Sequence, residues 1–388
     1  MRKKLAIAVG VAFIGVLAIV LSFEGLKLNG AEELILNIGT EYIEEGTNVE
    51  SEIEGMVDTS KVGDYTLTYR YKGKELTRTV HVVDPESLVV GLYGSEQTKV
   101  RQGDPYIESG AFAIDKTKGP VTQCVIEGTV DTQNPGIYEI SYNFQSGYLK
   151  KTVKRQVEVV TKENFKANTT GIPVMMYHYV YTKDNAPEKI NSNYISDEDL
   201  KKQLKYLKDN NYYFPSFDEL RAYIDGKIAL PEKSAIITFD DGQKYFMQNG
   251  IPIMNEYKIP ATSFIIGTKG AGPNLYKYAT EYVSFETHSY DMHKPGGNIG
   301  HGGVISAMTK EEIVADLNKG TKLVGASNAF AFPFGDITED GKKAVEEAGI
   351  DVAFSTVQGK VYPGDDYRAL KRVRVNGGNS LQYYIYNL

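Results

Sequence analysis

The chain has 388 residues, 41% hydrophobic and 24% charged, with a formal net charge of −7. That length holds two or three folded domains, and the acidic balance argues against a nucleic-acid or anionic-membrane binder. A single cysteine, Cys124, excludes an intrachain disulfide and reads as a small buried hydrophobe in a strand.

The first element is a targeting segment over residues 1–24. Arg2, Lys3 and Lys4 precede an uncharged apolar run from Leu5 to Phe23. The run is about 19 residues, close to the ~20 a helix needs to cross a bilayer. It ends in Leu21-Ser-Phe-Glu-Gly25, a poor cleavage site, and no lipidation cysteine follows. The expectation is an uncleaved anchor with its basic end in the cytoplasm, so that the rest is extracytoplasmic and faces a Gram-positive-like cell wall. The alternative is a secreted protein after signal cleavage.

Residues 33–84 and 87–161 contain an internal repeat. Glu54-Gly-Met-Val-Asp-Thr59 recurs as Glu127-Gly-Thr-Val-Asp-Thr132, and Gly63-Asp-Tyr-Thr-Leu-Thr-Tyr69 as Gly136-Ile-Tyr-Glu-Ile-Ser-Tyr142. Tyrosine, valine and threonine alternate at period two between Gly and Asp turns. The repeat predicts two small all-β sandwiches, the first shorter and short of a strand or two. The pattern resembles the immunoglobulin-like modules of bacterial surface proteins, which implies spacers between membrane and enzyme. His81 falls in the first module and reads as structural.

A polar linker at 162–170 changes the pattern. From 171 to 388 strands and helices alternate. Ile172-Pro-Val-Met-Met-Tyr-His178 reads as a strand. Ser196-Asp-Glu-Asp caps a helix with Leu200, Leu204 and Leu207 on one stripe. Strands follow at Ala235, at Ala261 and into Thr287, and Thr309-Lys-Glu-Glu312 is a capping box. This βα alternation predicts a parallel sheet or barrel with its site at the strand C-termini.

Two polar clusters stand at such strand ends. Ala235-Ile-Ile-Thr-Phe-Asp-Asp-Gly242 runs a hydrophobic strand into two carboxylates and a glycine, and Glu286-Thr-His-Ser-Tyr-Asp-Met-His293 holds two of the five histidines. Two carboxylates and two imidazoles can hold a divalent ion and leave one carboxylate as a base, the inventory of a metal-assisted hydrolase. Successive strand side chains point to opposite faces, so Asp240 and Asp241 share a site only if the strand breaks, which Gly242 permits. His288 and His293 would lie about 140° apart on a helix, so they need a strand-to-loop turn to converge. His301, in a glycine-rich loop, reads as a surface residue.

Thr238-Phe-Asp-Asp-Gly242, His288-Ser-Tyr-Asp-Met-His293 and Phe332-Pro-Phe-Gly335 resemble the first three motifs of the NodB-homology polysaccharide deacetylases, carbohydrate esterase family 4. The resemblance covers about residues 170–388 and implies a distorted (β/α)7 barrel. It implies Asp240 as the base, and Asp241, His288 and His293 as ligands of a divalent metal ion, zinc first, with nickel, cobalt or iron as alternatives. The five-residue histidine spacing is that of the branch with biofilm poly-N-acetylglucosamine deacetylases and surface-anchored Gram-positive enzymes. The usual third-motif arginine is missing from Asn328-Ala-Phe-Ala-Phe-Pro333, and no histidine follows His301. In that branch an early Tyr-His element supplies the acid, here Tyr177-His178. The third motif implies Pro333 and Phe334 at the substrate, with the Phe334 backbone N–H as an oxyanion donor. Arg372 or Arg374 is a candidate to steady Asp240, and Asp365 or Asp366 to orient His178.

The expected protein is therefore two immunoglobulin-like sandwiches followed by an α/β barrel. It would be a metal-dependent deacetylase of N-acetylglucosamine polymers, with peptidoglycan the first expectation and exopolysaccharide poly-N-acetylglucosamine the second. No protein partner is implied. A non-catalytic glycan-binding surface protein is the rival of another class, and the intact Asp, Asp, His, His set argues against it.

Overall fold

The computed structural model describes residues 25–388, so the expected anchor at 1–24 lies outside the described residues. Among the described residues, no helix is long and apolar enough to cross a membrane. The chain divides into two units, Met1–Asp84 and Pro85–Leu388.

In the first unit, Glu33–Asn37 (β1), Glu52–Glu54 (β2), Gly63–Tyr71 (β3) and Lys74–Val83 (β4) form one four-stranded sheet in the order β1-β4-β3-β2. A second sheet is absent among the described residues, so the module is not the two-sheet sandwich that the repeat predicted. Its core is correspondingly small, built on Leu67, Tyr69, Val80 and Val82. A buried arginine organises one edge. Arg78 donates to Glu44 at 2.5 Å and to the Ala31 carbonyl at 3.0 Å.

The second unit begins with Leu88–Leu92 (β5), Gln97–Arg101 (β6), Ala111–Asp115 (β7), Gly119–Pro120 (β8), Cys124–Glu127 (β9), Gly136–Ser146 (β10) and Leu149–Val160 (β11). They make a β6-β11-β10-β9 sheet and a β5-β7-β8 sheet, with Leu88, Val90, Ile140, Tyr142, Val157 and Val159 packed in the core. Arg155, which pairs with Ile140 as Arg78 pairs with Leu67, is fully buried and donates to the Ser95, Tyr93 and Gly110 carbonyls. The repeat therefore extends to Tyr42-Ile-Glu-Glu-Gly46 and Tyr106-Ile-Glu-Ser-Gly110, whose glutamates join these arginine networks. Satisfied hydrogen bonds offset the cost of burying each guanidinium.

The barrel follows. Val174–Tyr177 (β12) leads to a small pair, Tyr179–Tyr181 (β13) and Tyr194–Ser196 (β14), then Asp197–Asp209 (α1) and Phe217–Ile224 (α2). Next come Ile236–Phe239 (β15), Ile251–Tyr257 (α3), Ala261–Ile265 (β16), Val283–Thr287 (β17), Lys310–Val324 (α4) and Ala329–Ala331 (β18). Glu339–Glu347 (α5), Val352–Gln358 (β19), Leu370–Arg374 (β20) and Leu381–Asn387 (α6) complete it. Strands β12-β15-β16-β17-β18-β19-β20 close into a seven-stranded parallel barrel. Near-continuous apolar runs such as Val174–Tyr177 and Ile236–Phe239 are buried throughout, as parallel strands covered on both faces require. The barrel is distorted: β17 meets β18 through one pair, Thr287 with Phe330, and a 3₁₀ segment at Gly272–Tyr278 replaces a helix. Ser196 and Thr309 cap α1 and α4, Thr309 with its capping box to Glu312, as their sequences predicted.

The second module is not a free spacer. Ser95 and Phe214 exchange hydrogen bonds at 2.8 and 2.9 Å, Ser109 bonds the α2 cap Ser216 at 2.9 Å, and Asp104 accepts the Ala229 N–H at 3.0 Å. Gly91 and Gly94 are where the backbones meet. A Cβ would lie 2.3 Å from the Glu281 carbonyl oxygen at the first and 2.8 Å from the Ser216 nitrogen at the second. These contacts lie near the N-terminal ends of the barrel strands, which leaves the C-terminal ends clear. The expected linker is itself hydrogen-bonded to the barrel, from Asn168 to Leu230 and from Glu232 to Lys166.

Candidate active site

The β15 strand delivers Asp240 and Asp241 to the C-terminal end of the barrel. The break there involves two residues: Asp241 has φ 74° and Gly242 φ 58°. A left-handed non-glycine residue is strained, and at Asp241 that strain turns neighbouring carboxylates in different directions. Asp240 turns into the barrel and Asp241 toward the histidines.

Asp240 meets Arg372 of β20 in a two-point pair, Nη1 to Oδ1 at 2.7 Å and Nη2 to Oδ2 at 2.6 Å. Both side chains are essentially inaccessible, at 3% and 0% exposure. Arg372 also donates from Nε to the Ser355 carbonyl at 3.0 Å, and its guanidinium stands beside the Phe264 and Phe354 rings, 5.7 and 5.8 Å from their centres. Those rings come from β16 and β19, which are not neighbours, so they meet across the barrel interior. Burial alone would raise the Asp240 pKa. The charge and hydrogen bonds of Arg372 outweigh it and hold the carboxyl below its ordinary value. Of the two candidate arginines, Arg372 is thus the one that pairs with Asp240. The Arg374 side chain turns away, to Asn193 and Asn376, and its backbone N–H donates to Gln358.

Asp241, His288 and His293 converge. Asp241 Oδ1 lies 3.5 Å from His288 Nε2 and 3.4 Å from His293 Nε2. One atom from each residue falls within 4.8 Å of the others. His288 Nδ1 is 2.7 Å from the Ala331 carbonyl, which can only accept, so Nδ1 carries the proton and Nε2 keeps its lone pair for the site. Ligands about 2.05 Å from a tetrahedral ion stand ~3.4 Å apart. The donor set therefore fits a divalent cation in type, count and spacing. Burial and the neighbouring His288 push His293 down to about 4, which keeps its ring neutral and able to ligate at neutral pH. Burial lowers the His288 pKa as well, but Asp241 and Asp240 reverse the direction.

The third motif forms one wall. Pro333 is buried at the start of a 3₁₀ turn, and Phe334, at φ 62°, sets its ring 4.3 Å from that of His293. His178 directly follows β12. Its Nδ1 has no hydrogen-bond partner among the described residues. Burial lowers its pKa, against the raising influence of Asp240 and Asp241, whose carboxylates are close enough to act on it.

Several sequence expectations do not meet at this site. Tyr177 points out of the barrel, stacks on Phe239 and donates to Gln203 at 2.8 Å, so it does not face substrate. The tyrosine that reaches the convergent trio is Tyr179, whose hydroxyl donates to Asp241 Oδ2 at 2.6 Å. The strand ends at Tyr177, and the interruption at His178, before the next strand begins, brings Tyr179 back; its adjacency to His178 was the signal. Asp365 accepts the Tyr362 N–H and Asp366 pairs with Arg368 and Lys342, so neither orients His178. The His301 ring is 73% exposed and lies outside the convergent trio.

Residues 227–353 match the polysaccharide deacetylase family, and residues 26–82 and 90–159 match the Ig-like domain of bacterial surface proteins. The poly-β-1,6-N-acetyl-D-glucosamine N-deacetylase of Staphylococcus aureus (strain MRSA252) is 27% identical over 216 residues, 51% of this chain and 73% of that protein. The Staphylococcus epidermidis protein of the same name is 26% identical over 228 residues, 52% of this chain and 77% of its own length. Among solved structures, the Streptococcus pyogenes deacetylase PplD with acetate is 20% identical at TM-score 0.48 and covers 56% of this chain and 97% of its own. A polysaccharide deacetylase from Bacillus cereus is 18% identical at TM-score 0.45 and covers 87% and 99%. With its three motifs, the chain carries a polysaccharide deacetylase domain, matched over residues 227–353, preceded by two bacterial surface immunoglobulin-like domains at 26–82 and 90–159.

Proposed function

We propose that the protein removes N-acetyl groups from N-acetylglucosamine polymers outside the cytoplasm, at a divalent ion held by Asp241, His288 and His293. The observation that carries this reading is the separation of two adjacent carboxylates. Asp241 joins the histidine pair, while Asp240 stands apart, charged and pinned by Arg372. One is built as a ligand and the other as a base.

A bound ion supplies Lewis acidity, lowering the pKa of a water molecule and polarising the acetamide carbonyl. Zinc is the first choice, and nickel, cobalt or iron suit the same donors. Asp240 accepts the proton of the attacking water. Arg372 keeps that carboxylate ionised and aimed. Tyr179 holds Asp241 by its second oxygen, which leaves Oδ1 to the histidine side. The Phe334 backbone N–H is the proposed donor to the developing oxyanion. His178 is the proposed acid that protonates the leaving amine. It rests neutral at neutral pH, so its proton arrives within the cycle rather than before it. The products are acetate and a free sugar amine.

The staphylococcal relatives are named for a β-1,6 polymer, which supports poly-β-1,6-N-acetylglucosamine as substrate. Peptidoglycan is the second reading, favoured by the match to surface-protein modules and by the expected anchor at Leu5–Phe23. Acetate release from both polymers and from β-1,4 chitooligomers, with zinc-loaded and chelated protein, tests the proposal. Release from the β-1,6 polymer that chelation stops is expected. No release from any of the three by loaded protein would overturn it.

A further inference from the structure

We propose that Asp316 is a positioning residue for the metal-binding loop: its carboxylate locks the turn between His288 and His293 into the form that lets both rings close on one ion. The inference rests on the reading of Asp241, His288 and His293 as ligands.

Histidines five residues apart share no helical face, so the loop backbone must do the work of convergence. Ser289 adopts φ 81°, a conformation that a side-chain-bearing residue holds only when its surroundings impose it. The next two N–H groups point at a single carboxylate. Tyr290 donates to Asp316 Oδ1 at 2.6 Å and Asp291 to Oδ2 at 2.9 Å. Each oxygen takes one donor, so the loop is fixed in orientation as well as position, and charge-assisted bonds of this kind are the strong ones.

The clamp is mounted on a rigid element. Helix α4 is capped at Thr309 with a reciprocal bond from Glu312 and stopped at Gly325 in the left-handed region. Its Ile313 and Leu317 share a core cluster with Met292, the residue before His293. Gly320 lies one turn beyond Asp316 on the same helical face. A Cβ there would sit 2.1 Å from Thr287 Oγ1, so α4 rests directly on the residue before His288. Thus one helix touches both flanks of the loop and holds its middle. From the other side, Lys269 donates to the His293 carbonyl at 2.7 Å and Thr268 to Asp291 at 2.8 Å. An Asp-x-x-x-Gly spacing on a helix carries no chemistry by itself, which is why sequence patterns pass over it.

A purely structural tie predicts lost stability and unchanged metal affinity. Positioning predicts the reverse emphasis. In the full chain, zinc affinity is measured by competition with a chromophoric chelator, and cobalt absorption reports ligand geometry. Asp316→Ala should weaken affinity by roughly 10–100-fold, the scale of outer-sphere changes at metal sites, and alter the cobalt spectrum. Asp316→Asn, isosteric and with one acceptor oxygen left, should fall between and keeps the test available if the alanine variant folds poorly. Thr309→Ala, which removes the cap of the same helix, should lower the thermal midpoint and leave affinity unchanged. Wild-type affinity in both Asp316 variants would overturn the proposal, as would an equal loss in Thr309→Ala. If the wild-type protein binds no ion, the ligand assignment itself falls and the proposal with it.

Discussion

Replacing Arg372 with methionine removes the partner of a buried charge and retains much of the packing against Phe264 and Phe354. Asp240 and Arg372 are both nearly inaccessible and joined at two points. Breaking such a pair from one side typically costs about 3–5 kcal/mol, because the remaining ion is left uncompensated. With a urea m value of about 3 kcal/mol/M, the barrel transition should move down by roughly 1–1.7 M. The 28 tyrosines, with no tryptophan, make tyrosine fluorescence the readout, in chelator so that metal linkage does not enter. The pH dependence supplies the second signature. In the wild type the Asp240 pKa is held below its unfolded value, so this group stabilises the fold above that value and loses its effect as pH falls through the folded pKa. Without Arg372, burial is unopposed by its largest counterweight and the folded pKa rises above the unfolded one. The variant's deficit should then be largest near pH 8 and shrink toward pH 5. A protonated Asp240 cannot act as base, so acetate release at neutral pH should fall ~10²–10⁴-fold, with the acid limb of the rate profile displaced to higher pH. A variant with wild-type stability at pH 8 and a wild-type rate profile would refute the pairing argument.

Three further outcomes are expected. Asp241→Ala and His288→Ala should lose bound metal by elemental analysis, whereas Asp240→Asn should keep it and lose turnover; full activity of Asp240→Asn would sink its assignment as base. His178→Ala should lower kcat ~10²–10⁴-fold at unchanged metal occupancy, and His301→Ala should do little; the opposite ranking would move the acid to the glycine-rich loop. A fragment beginning at Lys166 should unfold at lower urea than one beginning at Pro85, because it loses the Ser95, Ser109 and Asp104 bonds to the barrel base; equal midpoints would restore the second module to a mere spacer.

The parts of the site legible in sequence were those that announce themselves locally. Asp240 and Asp241 stand at the end of an apolar run, and His288 directly follows the strand that ends at Thr287. The helix caps at Ser196 and Thr309 were equally readable, because a cap is a bond between residues three apart. Tyr177 was misassigned for a reason of parity. Side chains alternate along β12, and which set faces inward depends on the barrel's register with β15 and β20. Tyr179 has the same parity and reaches Asp241 only because the strand is interrupted at His178.

The sequence alone determined the order of domains through strand periodicity, turn residues and capping pairs, and pointed to the class of chemistry through short motifs that resemble those of a known family, all of them short-range properties of the chain. Only the tertiary structure decided the partnerships. Arg372 lies 132 residues from Asp240, and Ser109 lies 107 from Ser216. Between two arginines in one basic strand, Arg372 and Arg374, the identical residue type and two-residue spacing offer no local distinction. Closure of the barrel, which buries one against Phe264 and Phe354 and sends the other to Asn193, made the choice.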